Sequence, residues 1–223
     1  MYNSVYCLYG DCILGNTDLS INNMKELTQY KKFTLDIESK PQENLIELFT
    51  KGIKAPKTYK DEDKIKEYIE NKTNEFKKKM SVDPDYADII CIGIKEIGKE
   101  PKLYHKDIEQ FFKDNDKPIF ITFNGKKFDI PLLIKWGLKN NLDLPYQDLK
   151  GMTKRWSTDW HIDLQEVICD NDYKSLDELL QIYLGISKKP IDFETASEEE
   201  IKEHCLEDIF NTELLYNKFK LTI

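Results

Sequence analysis

The alternation of apolar and polar positions predicts a strand near the start of the chain. The run Phe33-Thr34-Leu35-Asp36-Ile37-Glu38 alternates between apolar and polar residues, and Ser39-Lys40-Pro41 ends it. Residues 88–94 and 118–123 are continuous apolar runs of strand length, as is typical of strands covered on both faces. Residues 101–104 and 161–164 predict two shorter strands.

Apolar residues at helical spacing predict the helices. Ser197, with Glu200 three residues later, forms a capping box that starts a final helix reaching about Tyr216. The other predicted helices fall within residues 42–80, which Pro56 divides, near residues 108–112, at 130–139 and after Ser175. Strands followed by alternating strands and helices describe an α/β domain with a mixed sheet.

The length of the chain favours a single domain. Its 223 residues are enough for one domain of ordinary to large size, which we expect to span residues 1–223. Within it we expect an N-terminal extension at 1–30, where residues 5–9 alternate like a strand and residues 20–29 predict a short helix. Residues 42–80 are expected to form a helical insertion after the first core strand.

Composition narrows the possible functions. No run approaches the roughly 20 apolar residues of a membrane-spanning helix, so we expect no membrane partner. The scattered cysteines, five in number, and the lack of a signal-like start predict a reducing, cytoplasmic location. The net charge is −8 and Arg155 is the only arginine, which argues against a general electrostatic nucleic-acid binder. Phosphate handling would then depend on lysines, backbone amides or metal ions.

Two carboxylates share one face of the first predicted strand. Side chains alternate along a strand, so Asp36 and Glu38 point away from Leu35 and Ile37, with their Cα atoms about 6.6 Å apart. Such a pair repels unless a cation lies between the two groups, and it is costly to bury without a partner. A lysine partner or simple exposure is the alternative interpretation.

Two later acids also lie next to predicted core residues, one at the start of a helix and one on the inward face of a helix. Asp129 begins a helix directly after the strand at 118–123, beside free amides and the positive end of the helix dipole. Asp208 lies four residues after His204 on the inward stripe of the last helix. The alternatives are an ordinary N-terminal helix residue for Asp129 and a lysine-paired edge position for Asp208.

These residues carry a family resemblance. Asp36-Ile37-Glu38, then Asn124-x-x-x-Phe128-Asp129, then His204-x-x-x-Asp208 resemble, in this order, the three motifs of the DEDD 3′-5′ exonucleases. The chain is most similar to the proofreading-exonuclease-like group related to family-B DNA polymerases. The resemblance covers about residues 30–220. It implies a ribonuclease H-like fold, with a mixed five-stranded sheet flanked by helices.

The resemblance also implies a metal site and a substrate site. In the family the acids hold two divalent ions, and all-oxygen ligands favour Mg²⁺ or Mn²⁺. Asp36 is expected to bridge both ions, Glu38 and Asp208 to complete one, and Asp129 to support the other. The expected substrate contacts, near the terminal nucleotide or the phosphates, are Ile37, Asn124, Lys126, Lys127 and Phe128.

One position departs from the polymerase-like group, which has tyrosine where this chain has His204. Imidazole can take a proton from the attacking water near neutral pH, whereas a phenol mainly orients that water. We therefore expect His204 to act as general base. Orientation of water and a structural role remain open, with His161 and Tyr216 as weaker candidates for the base.

The expected function is metal-dependent removal of nucleotides from a single-stranded or frayed 3′ end. DNA is favoured over RNA, the products are nucleoside 5′-monophosphates, and a monomer is weakly favoured. An exoribonuclease and a non-catalytic module that binds nucleic acid or a protein are the alternatives. A basic-aromatic cluster that could stack on single-stranded bases comprises Arg155, Trp156, Trp160 and His161; the alternative is that the tryptophans are buried in the core.

Overall fold

A computed structural model of the protein describes residues 30–169 and 172–222. The strand and the helix predicted within the N-terminal extension lie outside the described residues.

One mixed sheet organises the described part of the chain. Its strands are β1 (Lys32–Pro41), β2 (Ala87–Glu96), β3 (Lys102–Tyr104), β4 (Ile119–Thr122) and β5 (His161–Asp163). The order across the sheet is β3-β2-β1-β4-β5. The pairs β1–β2 and β2–β3 are antiparallel, and β1–β4 and β4–β5 are parallel. This places β1 at the centre of the sheet.

Helices connect and cover these strands. In chain order they are α1 (Glu43–Thr50), α2 (Glu62–Ser81), α3 (Ile108–Asp114), α4 (Asp129–Lys139), α5 (Tyr146–Met152), α6 (Leu164–Cys169), α7 (Leu176–Leu184) and α8 (Glu198–Phe219). Helices α1 and α2 lie between β1 and β2 in sequence and form the helical insertion. The predicted five-stranded mixed sheet with flanking helices is confirmed.

The main core lies on one face of the sheet. Leu35 and Ile37 of β1 are buried there, as the alternating pattern predicts, together with apolar residues of β2, α3, α4 and α5. Each buried aliphatic side chain contributes about 1.5–3 kcal/mol relative to an exposed one. Asp36 and Glu38 alternate with these two residues along β1, so they point to the opposite face of the sheet.

Helix α8 covers that opposite face. The capping box predicted at its start is present, since the Ser197 hydroxyl accepts from the Glu200 amide and the Glu200 carboxylate accepts from the Ser197 amide. Farther along, Glu213 pairs with the buried ammonium of Lys95 on β2. The other oxygen of Glu213 accepts a hydrogen bond from the Gly98 amide at 2.9 Å. These contacts fix α8 against β2.

Two short helices were not predicted. Helix α5 occupies a stretch for which the sequence pattern gave no element. Helix α6 begins where the fifth strand was expected to continue, because the Asp163 carboxylate accepts hydrogen bonds from the amides of Gln165 and Glu166 and turns the chain. In the described part of the chain, no helix has the length and apolar character needed to cross a membrane.

Candidate active site

A glycine on β2 lets α8 come close to the acids of β1. Gly93 pairs with Asp36 in the sheet. An added Cβ at Gly93 would lie 2.2 Å from Ile209 Cδ1 and 2.8 Å from Cys205 Sγ, both on α8. The Cys205 thiol also contacts the Asp36 carbonyl oxygen at 3.7 Å. Asp208, the neighbour of Ile209, is thereby brought to the face that carries Asp36.

Asp208 has one paired and one unpaired oxygen. Its Oδ2 accepts from the Lys188 ammonium at 2.5 Å and lies 3.8 Å from His204 Nε2. Its Oδ1 is buried and has no hydrogen-bond partner among the described residues. The lysine-paired alternative for Asp208 is therefore present in this structure, and it leaves one carboxylate oxygen unsatisfied, which is costly in a buried site.

The two acids of β1 lack a nearby positive charge sufficient to keep them fully ionised. Burial, followed by the charge of Asp208, raises the pKa of Asp36 to about 7. Burial, followed by the charges of Asp36 and Asp208, raises the pKa of Glu38 to about 10. The Lys188 ammonium lowers both pKa values but does not offset the other effects. Three carboxylates therefore repel one another at this face.

Asp129 joins this group from the start of α4. It is buried, and its Oδ1 accepts a hydrogen bond from the Ile37 amide at 3.0 Å. Burial and then the charge of Asp36 raise its pKa well above the usual value. The Ile37 side chain packs in the main core and its amide is occupied by Asp129. Asp129 thus holds the backbone of β1 between the two acids of that strand.

His204 is partly buried one turn before Asp208 on α8. Its ring packs edge-on against Phe193, with 5.5 Å between the ring centroids. Burial is the largest influence on its pKa, which lies below the usual value although the charge of Asp208 acts in the other direction. Burial thus favours the neutral ring, the form that can accept a proton.

The two weaker candidates for a base are engaged elsewhere. Both ring nitrogens of His161 are hydrogen-bonded, Nδ1 to the Met152 carbonyl oxygen at 3.0 Å and Nε2 to the Thr122 hydroxyl at 2.8 Å. Tyr216 accepts a hydrogen bond from the Lys32 ammonium at 2.9 Å. Their contacts are those of structural residues.

The loop of the second motif is shaped by Thr122 and Asp163. Asn124 has a positive φ of 65°, an uncommon conformation that asparagine tolerates better than most residues. The next residue, Gly125, leaves no room for a side chain, because a Cβ there would lie 2.4 Å from Thr122 Oγ1. Asp163 accepts hydrogen bonds from the amides of Asn124 at 2.9 Å and of Lys126 at 3.0 Å. Asp163 therefore fixes the loop that leads to Asp129.

The three remaining substrate candidates differ in exposure. Lys127 is exposed and Phe128 is half-buried against the main core. Lys126 is buried, and its ammonium donates to the Ser157 carbonyl oxygen at 2.8 Å and pairs with Glu166. These contacts turn Lys126 away from the phosphate-binding role expected for it. Its buried ion pair instead links the second-motif loop to α6.

The donor set fits a hard divalent cation in its chemistry. The carboxylate oxygens of Asp36, Glu38, Asp129 and Asp208 are the ligand type that Mg²⁺ and Mn²⁺ prefer. The unpaired Oδ1 of Asp208 and the raised pKa values show that positive charge is lacking there. Within residues 30–169 and 172–222, however, no group of three or more His, Cys, Asp or Glu side chains is arranged as a ready metal site.

The sequence interpretation missed Lys188. It lies in the loop between α7 and α8, where neither periodicity nor a recognised motif marks it. The only signal was indirect: an inward-facing Asp208 needs a cation, and the sequence offers Lys188-Lys189 a short distance before the helix.

Comparison with known proteins places this geometry in a family context. The profile of a family described as predicted 3′-5′ exonucleases related to the exonuclease domain of PolB matches residues 85–223, more than half of the chain. The matched segment includes Asp129, His204 and Asp208 but begins after β1, so it does not include Asp36 and Glu38. No curated protein matches the sequence significantly.

Solved structures resemble the fold. The family-B DNA polymerase of the hyperthermophilic archaeon Pyrobaculum calidifontis matches with a TM-score of 0.53 and 14% identity over 86% of this chain. The match covers only 24% of that polymerase, so the chain spans about a quarter of its length. The EXO domain of Aedes aegypti Nibbler matches at 12% identity, with a TM-score of 0.45, over 92% of this chain and 87% of that one. The polymerase match confirms the ribonuclease H-like fold expected from the sequence.

Proposed function

Because the chain belongs to the family of predicted 3′-5′ exonucleases related to the exonuclease domain of PolB, we propose that it hydrolyses the terminal phosphodiester of single-stranded or frayed DNA 3′ ends. The products are nucleoside 5′-monophosphates. The observation that carries the proposal is the meeting of repelling carboxylates around the unpaired Asp208 Oδ1. A fold that keeps such a cluster has a use for the cation that would neutralise it.

Asp36, Glu38, Asp129 and Asp208 would together hold the divalent ions, for which two Mg²⁺ or Mn²⁺ ions are proposed. When bound, divalent ions of this kind polarise the phosphoryl oxygens and stabilise the charge that develops on the attacking and leaving oxygens. Lys188 keeps positive charge beside Asp208 and moderates the repulsion between Asp208 and β1.

The other side chains position the reactants. Asp129 accepts a hydrogen bond from the Ile37 amide and so holds the start of α4 against β1, between the two acids of that strand. Asp163 holds the amides that shape the second-motif loop, where Asn124 and Phe128 are proposed to contact the terminal nucleotide. His204 accepts the proton from the attacking water, and its position beside Asp208 supports this role.

DNA is proposed as the substrate because the family is described by its relation to the exonuclease domain of PolB and the fold matches that of a DNA polymerase. The exoribonuclease alternative is separated by digesting a 5′-labelled DNA strand and its RNA counterpart side by side, with Mg²⁺, with Mn²⁺ and with EDTA. We expect a ladder of shortening DNA products that needs the divalent ion. Equal or faster RNA shortening would transfer the proposal to RNA.

Two substitutions test the catalytic assignment. Asp36→Asn and Asp208→Asn should each abolish shortening while circular dichroism remains that of the native fold. Asp116→Asn, at an exposed turn, is the matched control and should retain full activity. Undiminished digestion by either site variant would refute the assignment of the catalytic acids. No digestion of any strand by the native protein would refute the proposed function and favour the non-catalytic binding module.

A further inference from the structure

A cleft opens at the second-motif loop, which leads to Asp129 of the candidate active site. Its volume is about 320 Å³, and its wall includes Lys127, Thr153, Arg155, Gln165 and Tyr173. Asp163 also lies in this wall and holds the amides of the loop that ends in Asp129. The cleft is therefore continuous with the loop that carries one of the four acids.

The acids in the cleft wall already have partners. Asp163 accepts four backbone amides, from residues 124, 126, 165 and 166. Glu166 pairs with Lys126, and Asp172 lies 3.8 Å from the Lys174 ammonium. Their negative charge is thus offset locally, which reduces their repulsion of an incoming phosphate.

Two cationic side chains of the cleft extend into solvent. Lys127 is exposed, and the Arg155 side chain is 64% exposed although its Nε lies 3.9 Å from Glu166. Arg155 is the single arginine of an acidic chain. Its planar guanidinium is the side-chain group best suited to bind a phosphate by two parallel hydrogen bonds.

Two aromatic rings are exposed, one in the cleft wall and one next to Arg155 of that wall. Tyr173 is 76% exposed in the cleft wall, and Trp156 is 52% exposed, with the Arg155 guanidinium 4.7 Å from its ring centroid. Trp156 also has a positive φ of 64°, which is rare for a bulky residue and costs about 1–3 kcal/mol. The chain thus keeps a large apolar ring in solvent on a strained turn beside its only arginine.

We propose that this cleft binds the nucleotides upstream of the scissile bond, with Trp156 and Tyr173 stacking on bases and Lys127 and Arg155 binding phosphates. Single strands are recognised in this way without regard to sequence, because every base offers a π face. The proposal rests on the proposed exonuclease function. It adds the path of the strand and a role for residues outside the acid cluster.

The experiment compares a long and a minimal substrate. Trp156→Ala and Tyr173→Ala should each raise the KM for a ten-nucleotide thymidine strand about 5- to 150-fold, because stacking on one base contributes about 1–3 kcal/mol. Neither should change turnover of the p-nitrophenyl ester of thymidine 5′-monophosphate, which has no upstream nucleotide. Trp156→Phe should recover most of the loss. Tyr59→Ala, an exposed aromatic in the helical insertion, is the control and should leave both substrates unaffected.

A binding measurement separates failure of the cleft from failure of the catalytic proposal. Fluorescence polarisation of the labelled ten-nucleotide strand in EDTA reports binding without turnover. A Kd raised by Trp156→Ala but not by Tyr59→Ala would support the cleft even if the native protein digested nothing. Unchanged KM and Kd in both cleft variants would overturn it, whatever the catalytic activity.

Discussion

The close approach of α8 to β2 at Gly93 predicts a specific steric effect. Alanine at this position would place its Cβ 2.2 Å from Ile209 Cδ1 and 2.8 Å from Cys205 Sγ. Both α8 residues are fully buried, so neither side chain can move into solvent. Overpacking of this kind costs about 1–3 kcal/mol. Because α8 carries Asp208, we also expect kcat to fall as the helix moves away from Asp36.

The assay is urea unfolding in EDTA, with thermal unfolding as a second measurement. For a chain of this size, Gly93→Ala should lower Tm by roughly 2–12 °C, since each 1 kcal/mol corresponds to about 2–4 °C. Gly151→Ala is the matched control, because nothing lies within 4 Å of the added Cβ at this exposed position of helix α5. There alanine should stabilise the protein by about 0.5–1 kcal/mol.

A second substitution identifies the clash itself. Ile209→Val removes the Cδ1 atom and alone costs about 0.5–1.5 kcal/mol. In the Gly93→Ala background its cost should vanish or change sign, because the removed atom is the one that the new Cβ meets. Strictly additive losses in the double variant, or a Gly93→Ala protein as stable as the native one, would refute this account of how α8 reaches the acids.

Two further predictions follow from the buried titratable groups. Burial lowers the pKa of His161 to about 4 against an unfolded value near 6.5, so its contribution to stability is complete above pH 6.5 and is lost as pH falls toward 4. Urea unfolding at a series of pH values should show this loss, at most about 3 kcal/mol, in the native protein but not in His161→Gln. If the free energy of unfolding depends on pH in the same way in both proteins, the prediction is wrong. Asp36 has a raised pKa of about 7, so its charge destabilises the metal-free fold at pH 8, and Asp36→Asn should raise Tm in EDTA at that pH. The same variant should lose the increase in Tm that Mg²⁺ gives the native protein. An undiminished increase would place the ion elsewhere.

The sequence predicted those parts of the fold that depend on local patterns. The alternation at 33–38 gave β1 and the direction of its acids, and the capping box at Ser197 gave the start of α8. Helix α6 was missed because a short-range side-chain contact decides it: the Asp163 carboxylate accepts hydrogen bonds from the amides two and three residues later and so ends the strand. Side-chain capping of this kind overrides the apolar pattern of residues 161–164.

The candidate site was predictable in its acids but not in its cations. Acids on strand and helix faces break a hydrophobic pattern and are visible for that reason. The partner of Asp208 was not, since Lys188 lies in a loop where the sequence pattern carries no information about direction. Lys126 shows the same limit, because its spacing from Asp129 favoured a phosphate contact while the fold pairs it with Glu166.

Several lysines counted in the net charge of −8 are paired within the fold, so fewer cations are available to bind a nucleic acid than the count suggests. Lys95, Lys126 and Lys188 are each bound to a carboxylate of the fold, so they contribute structure rather than attraction for a polyanion. Near the second-motif loop the exposed cations of the described cleft are Lys127 and Arg155. Affinity for single strands scales with the number of phosphates neutralised, and two contacts give only a shallow dependence on salt. Engagement of a strand end by the proposed exonuclease then has to draw on base stacking and on the cations that the acid cluster would hold.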